Sequence, residues 1–155
     1  MRELPKITAA DIEAQGRAEF EKFDNDDAVT LGLIAVDLIK ERGVNLAVDI
    51  VRGSDLVFRA KLGKTGPGND EWLAGKAACA RHFGVASLLV RRREEEAGRS
   101  PKDLPIDHTH MKPHGGAIPI FVAGELVATI TMSGEPDVID HEVCAAAVAK
   151  YRLTR

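Results

Sequence analysis

The chain carries histidines at 82, 108, 110, 114 and 141. Imidazole is the side chain whose proton comes and goes near neutral pH, so each is a candidate for acid–base work or metal ligation. His114 and His141 keep the more suggestive company. His114 opens the run His114-Gly115-Gly116-Ala117-Ile118-Pro119-Ile120, and His141 follows Asp140 shortly after Met132-Ser133-Gly134. Paired glycines let backbone approach a ligand with no Cβ in the way, and a serine and glycine just ahead of a helix lie beside free N–H groups that favour anions. Asp140 can orient an imidazole or complement the helix dipole. The candidate binding set is therefore His114, Gly115, Gly116, Ser133, Gly134, Asp140 and His141, and the chemistry is capture of a small anion by amide donors and a titratable ring. Affinity should fall as pH rises through the histidine range.

Other constellations are weaker. His108 and His110, two apart in an extended segment, would share a face that His114 could join, but no cysteine is near and a fourth ligand is missing, so no metal site is assigned. Ser133 has candidate bases in His114 and His141, yet capping alone explains its position. Gly63-Lys64-Thr65 lacks the first glycine and the following helix of a phosphate loop. Cys79 and Cys144 sit among alanines and read as reduced apolar fillers. Asp24-Asn25-Asp26-Asp27 does not match a calcium loop and reads as a helix start.

The elements that must position these groups follow from periodicity. Leu126, Ala128, Ile130 and Met132 alternate with polar neighbours as a strand, and Ala123-Gly124 suits a hairpin to a preceding strand from Ala117 to Val122. Pro119 lacks an N–H, so that strand should be an edge or carry a bulge near Gly115-Gly116. Pro136 fits the first turn of a helix with an apolar stripe of Ile139, Val143, Ala146 and Ala147; His141 lies opposite that stripe, facing a pocket or a neighbouring subunit. Upstream, a helix capped by Thr8 runs through Phe23, and a second from Val29 to Lys40 ends at Gly43. A hairpin around Gly53-Ser54 joins strands near 46–51 and 55–62. Asn69 or Asp70 caps a helix through Phe83 that stops at Gly84, and Val85 to Ala97 forms another, whose run Arg91-Arg92-Arg93-Glu94-Glu95-Glu96 reads as a solvated face. Ser100 to Pro113 should be a surface loop or a short irregular strand.

At 155 residues, 45% hydrophobic and 29% charged, the chain reads as one α+β domain over 1–155 with an ordinary soluble composition. A formal charge of −3 argues against a nucleic-acid surface, and no run reaches the length of a membrane span. With no apolar signal core at the start and no disulfide pattern, a cytoplasmic protein is expected.

On His114-Gly115-Gly116, Pro119-Ile120, Ser133-Gly134 and Asp140-His141, with Trp72, Lys76, Phe83 and Ser87 upstream, the chain resembles the haem-degrading-domain family. This is the group of GlcG, HbpS and the C-terminal domain of PduO; the likeness is strongest to its small stand-alone branch. The chain departs from that pattern at Ala128, where a glycine is expected, and at Glu135-Pro136-Asp137, where Leu-Pro-Gln is expected. The resemblance implies a profilin-like α/β/α fold with an antiparallel sheet of about five strands, the fifth placed between Ile106 and Lys112. It also implies a homo-oligomer and a tetrapyrrole, haem, as a ligand class. The residues themselves show no Cys-x-x-Cys-His motif and only 5% aromatics, so no cofactor is assigned. Haem should bind weakly or not at all, any ligation falling to His108, His110, His114 or His141. Two readings stay open: a binding protein or enzyme with His114 or His141 as acid or base, and a structural or interaction module without catalysis.

Overall fold

Two helices stop where glycine lets the chain turn left-handed. In a computed structural model of the protein, which describes residues 3–155, Gly43 (φ 63°) ends the long helix Asn25–Arg42 and Gly84 (φ 69°) ends Gly68–Phe83. In chain order the elements are α1 (Ala9–Ala14), β1 (Ala18–Phe20), α2 (Asn25–Arg42), β2 (Ala47–Arg52), β3 (Asp55–Lys61), α3 (Gly68–Phe83), α4 (Ser87–Glu96), a 3₁₀ turn (Pro101–Asp103), β4 (Ala117–Val122), β5 (Glu125–Ser133) and α5 (Asp137–Arg152). Thr8 and Asp24 are N-caps, each in a reciprocal capping box with the aspartate three residues on. The acid cluster is thus a helix start, with Asp27 also gripped by Lys22 at 2.9 Å.

The strands form one five-stranded sheet in the order β1-β4-β5-β2-β3. Both two-residue hairpins are present, and Ala123 (φ 51°) and Gly124 (φ 79°) are both left-handed, as the twist of a tight β4–β5 turn requires. All pairings are antiparallel except β1 with β4, which is parallel and makes the sheet mixed. The fifth strand is β1, not a segment between Ile106 and Lys112. The first helix accordingly ends at Ala14 instead of running to Phe23, because Gly16 (φ 76°) breaks it and the next residues pair with Ile120 to Val122.

Pro119 lies in an inner strand, not an edge, on the stretch of β4 that β1 does not reach and that leaves its missing N–H without cost, and the register shift falls between Ile120 and Phe121, not at Gly115-Gly116. The edge strands are the three-residue β1 and the longer β3. Alternation along the inner strands divides the layers. Val48, Ile50, Ile130 and Met132, all fully buried, join the main core with Leu31 and Ile39 of α2 and Val143 and Ala147 of α5. Each such aliphatic side chain contributes about 1.5–3 kcal/mol by leaving water. The alternate residues Asp49, Thr129, Thr131 and Ser133 turn to the opposite face, where α3 packs.

Candidate functional site

A polar cavity of about 350 Å³ opens where β5 ends and α5 begins, with α3 and α4 supplying the other walls. Its floor is Lys76. This lysine falls on the buried side of α3 with Leu73, Ala77 and Ala80, and is itself 2% exposed. An ammonium so placed must be paired and hydrogen-bonded. Its Nζ donates to Asp140 Oδ2 at 2.7 Å and to the Met132 carbonyl at 3.0 Å. Asp140 Oδ1 accepts from the Glu135 amide at 3.0 Å. Burial pushes the Asp140 carboxyl up to about 6, against the pull of Lys76 and that amide.

The second anchor is Asp137, the first residue of α5. Its Oδ2 accepts from Arg91 Nη1 at 2.5 Å and from the Gly115 amide at 2.8 Å. Burial works against its charge, but Arg91 and the amide outweigh it and hold the carboxyl below its usual range. Arg91 also meets Glu95 at 3.1 Å one turn along α4. His114 stands at the mouth with 43% of its side chain exposed, 4.0 Å from Asp137. Its ring meets Trp72 edge-on, centroids 5.3 Å apart, and Lys112 lies 4.7 Å from the Trp72 ring centre. Partial burial lowers the His114 pKa; Arg91, Lys76 and Lys112 lower it further and Asp137 opposes them. On the far wall Ser133 Oγ accepts from Asn69 Nδ2 at 3.2 Å, and Asn69 Oδ1 accepts from the Gly66 amide at 3.0 Å.

Of the residues singled out in the sequence, His114, Ser133, Gly134 and Asp140 line this one cavity. The other three do different work. A Cβ at Gly115 would come within 2.5 Å of the Asp137 carbonyl, and Gly116 (φ 140°) sits against the Met132 carbonyl and Lys76, so the glycine pair permits backbone-to-backbone packing and does not line the cavity. His141 is fully buried, with Nε2 3.2 Å from Gln15 Oε1 and Nδ1 without a partner among the described residues. Burial lowers its pKa to about 4, so it is a neutral core residue and not a cavity wall. The amide after Gly134 is engaged by Asp140, and those of Ile139 and Asp140 by the Pro136 carbonyl, so these three of the expected helix-terminus donors are already used.

His108 bonds the Leu104 carbonyl at 2.8 Å and His110 bonds Asp107 at 2.6 Å, both in an exposed turn. Among the described residues no three His, Cys, Asp or Glu side chains gather for a metal. Cys79 and Cys144 are buried free thiols, Cys79 pushed up to about 12 by burial and Cys144 higher still. Arg91, Asn69, Glu135 and Asp137 were not foreseen as cavity residues. Asn69 was expected as a helix cap, and Arg91 as part of a solvated charge stripe. Lys76 did leave a signal, a lone charge among alanines on an apolar helix face.

An α/β/α domain with a polar cavity at the joint of a hairpin and its following helix is a recognisable type. The chain belongs to the HbpS-like family of haem-degrading proteins, whose profile matches residues 23–149. It is 37% identical over 147 residues to a UPF0303 protein of Streptomyces coelicolor, covering 93% of both chains. The crystal structure of the Ybr137w protein superposes with a TM-score of 0.83 at 24% identity, over 94% of this chain and 88% of that one. A structure titled as a PduOC:heme complex superposes with a TM-score of 0.67 at 20% identity, over 80% of this chain and 91% of that one. Among the described residues no helix is long and apolar enough to cross a membrane.

Proposed function

We propose that the protein binds a small carboxylate or comparable oxyanion in the polar cavity, with His114 as the gate. The observation that supports this most directly is the surplus of donors. Among the described residues Lys76 engages two of its three N–H groups, Nη2 of Arg91 has no partner, and the Ser133 hydroxyl accepts from Asn69 while its own proton remains to be donated. The carboxylates Asp137 and Asp140 are held by Arg91 and Lys76 and Glu135 by the Asn45 amide, so the wall carries one more carboxylate than cations and an anion is selected by hydrogen bonding, not by net charge. His114 stands at the cavity mouth, and protonating it, below the ordinary imidazole range because burial lowers its pKa, adds the charge that favours an anion. Thermal melts with acetate, succinate and inorganic phosphate at pH 5.5 and pH 8 test this. The expected result is a rise in melting temperature, larger at pH 5.5 and lost in His114→Ala; no rise at either pH, or an undiminished rise in the variant, sinks the reading.

Haem fits this cavity poorly. The walls are charged and the volume small for a macrocycle, and an apolar cavity of about 550 Å³ elsewhere presents, among the described residues, no His, Cys, Met, Tyr or Lys that could ligate iron. His114 is the imidazole that could meet iron at the polar mouth. A haem titration in which a Soret shift disappears in His114→Ala would favour the tetrapyrrole over the small anion.

A second reading, a homo-oligomeric interaction module, is favoured by a separate patch. Val29 and Leu33 on α2 and Leu56 on β3 are 39%, 55% and 47% exposed beside the open β3 edge. Exposed apolar surface at a strand edge is an association surface. Light scattering should give a multiple of the monomer mass that falls in Leu33→Glu; a monomer mass in the native protein at micromolar concentration would exclude it.

A further inference from the structure

A second cavity is larger than the polar one and apolar. A cavity of about 550 Å³ lies between α1, α4, α5 and the stretch of β4 that β1 leaves uncovered. Ile118 and Pro119 floor it, Ile12 and Leu89 flank it, and α5 presents Ala145 and Ala146 where longer side chains would have filled the space. Apolar walls alone do not name an occupant; the charges at the rim do. Arg93 has Glu13 at 3.5 Å and Arg17 has Glu19 at 3.7 Å. Arg152 instead donates to the carbonyls of Arg17, at 2.6 Å, and Gln15, at 3.4 Å, and among the described residues no carboxylate lies within 4 Å of it. Carbonyl oxygens are neutral acceptors, so the Arg152 charge stands uncompensated beside an apolar cavity. Glu142, the other acid lining it, is drawn to Arg42 at 3.4 Å.

We propose that this cavity is a binding site for an amphipathic monocarboxylate, its apolar body against Ile118, Leu89 and the α5 alanines and its carboxylate on Arg152. A chain of this kind loses water contact along its length and supplies the missing negative charge, the two terms that give a small pocket its affinity and its orientation. The site is independent of the polar cavity, and its test does not depend on His114.

The probe is decanoate, titrated calorimetrically into the full chain below its micelle concentration, with decanol as the uncharged control. The expected result is saturable binding of one decanoate per chain with a negative heat-capacity change. Ala146→Phe, which fills the cavity, should weaken it by about tenfold or more. Arg152→Gln should weaken decanoate by about fivefold with decanol unchanged, and Arg152→Lys should restore most of the loss. Because Ala146→Phe can misfold, Ala145→Leu is measured beside it, with melting curves for both. The proposal is overturned if decanoate gives no saturable heat, if a folded cavity-filling variant binds as well as the native chain, or if Arg152→Gln weakens both ligands alike. It is equally overturned if filling the cavity lowers the mass seen by light scattering, which would make it a contact between copies.

Discussion

The two cavities are made by opposite means. In the polar one most groups on the wall are tied: Lys76 to Asp140, Arg91 to Asp137, Asn69 to Ser133, and Glu135 to the Asn45 amide at 2.8 Å. Its shape is fixed by directional bonds that span α3, α4, β5 and α5, so it is preorganised and costly to disturb. The apolar cavity is defined by what is missing, a strand that stops short and alanines where leucines would fit. Few directional bonds hold its walls, so added bulk there relieves an unfilled space. The same small domain thus carries one site whose residues hold each other and one whose residues leave room.

The contrast can be broken by experiment, beginning with its strongest element. Asp140→Leu leaves the Lys76 ammonium buried without its counter-charge and should lower stability by about 3–5 kcal/mol in chemical denaturation at pH 7.5. A loss below about 1 kcal/mol would mean that Lys76 reaches water through the cavity and that the floor is not rigid. Next in size is the acid response of His141. Its folded pKa of about 4 lies below the ordinary imidazole value, so the native state binds fewer protons than the unfolded chain. Stability from this group is complete above the ordinary value near 6.5 and is lost as pH falls toward 4, by about 3 kcal/mol. Denaturation at pH 7 and pH 4.5 should show a steeper acid loss in the native chain than in His141→Gln; parallel curves would place His141 in contact with water.

Smaller effects separate the cavities by sign. Ser133→Ala removes the acceptor of Asn69 and should cost about 1 kcal/mol, measurable as a lowered denaturation midpoint. Ala146→Leu should stabilise by up to about 1 kcal/mol, because it places methyl groups in open apolar space at no loss of helix propensity. If both variants destabilise alike, the apolar cavity is filled in solution by something the chain itself does not supply.

Much of the frame could be read from periodicity and turn chemistry. The β4–β5 and β2–β3 hairpins, the stops at Gly43 and Gly84 and the start of α5 beside Pro136 are local consequences of residue type. β1 was missed because three residues, Ala18 to Phe20, are too few to show a period, and what makes them a strand is β4, about a hundred positions away. His141 shows the same limit. A helical wheel places it off the main stripe, but α5 is buried on several sides, including by Gln15 of the α1 end.

The sequence by itself determined where polar groups and glycines gather at element joints, because caps, turns and strand alternation act over a few residues. His114, Ser133 and Asp140 could be picked out that way, and they share a cavity. Tertiary structure alone decided that Gly115 and Gly116 serve packing, that Arg91 leaves its charge stripe to hold Asp137, and that Lys76 and Asp140 pair across 64 positions. It also decided that a space stays open beside β4. Such facts depend on which surfaces meet and how much volume lies between them, and a linear pattern carries no measure of either.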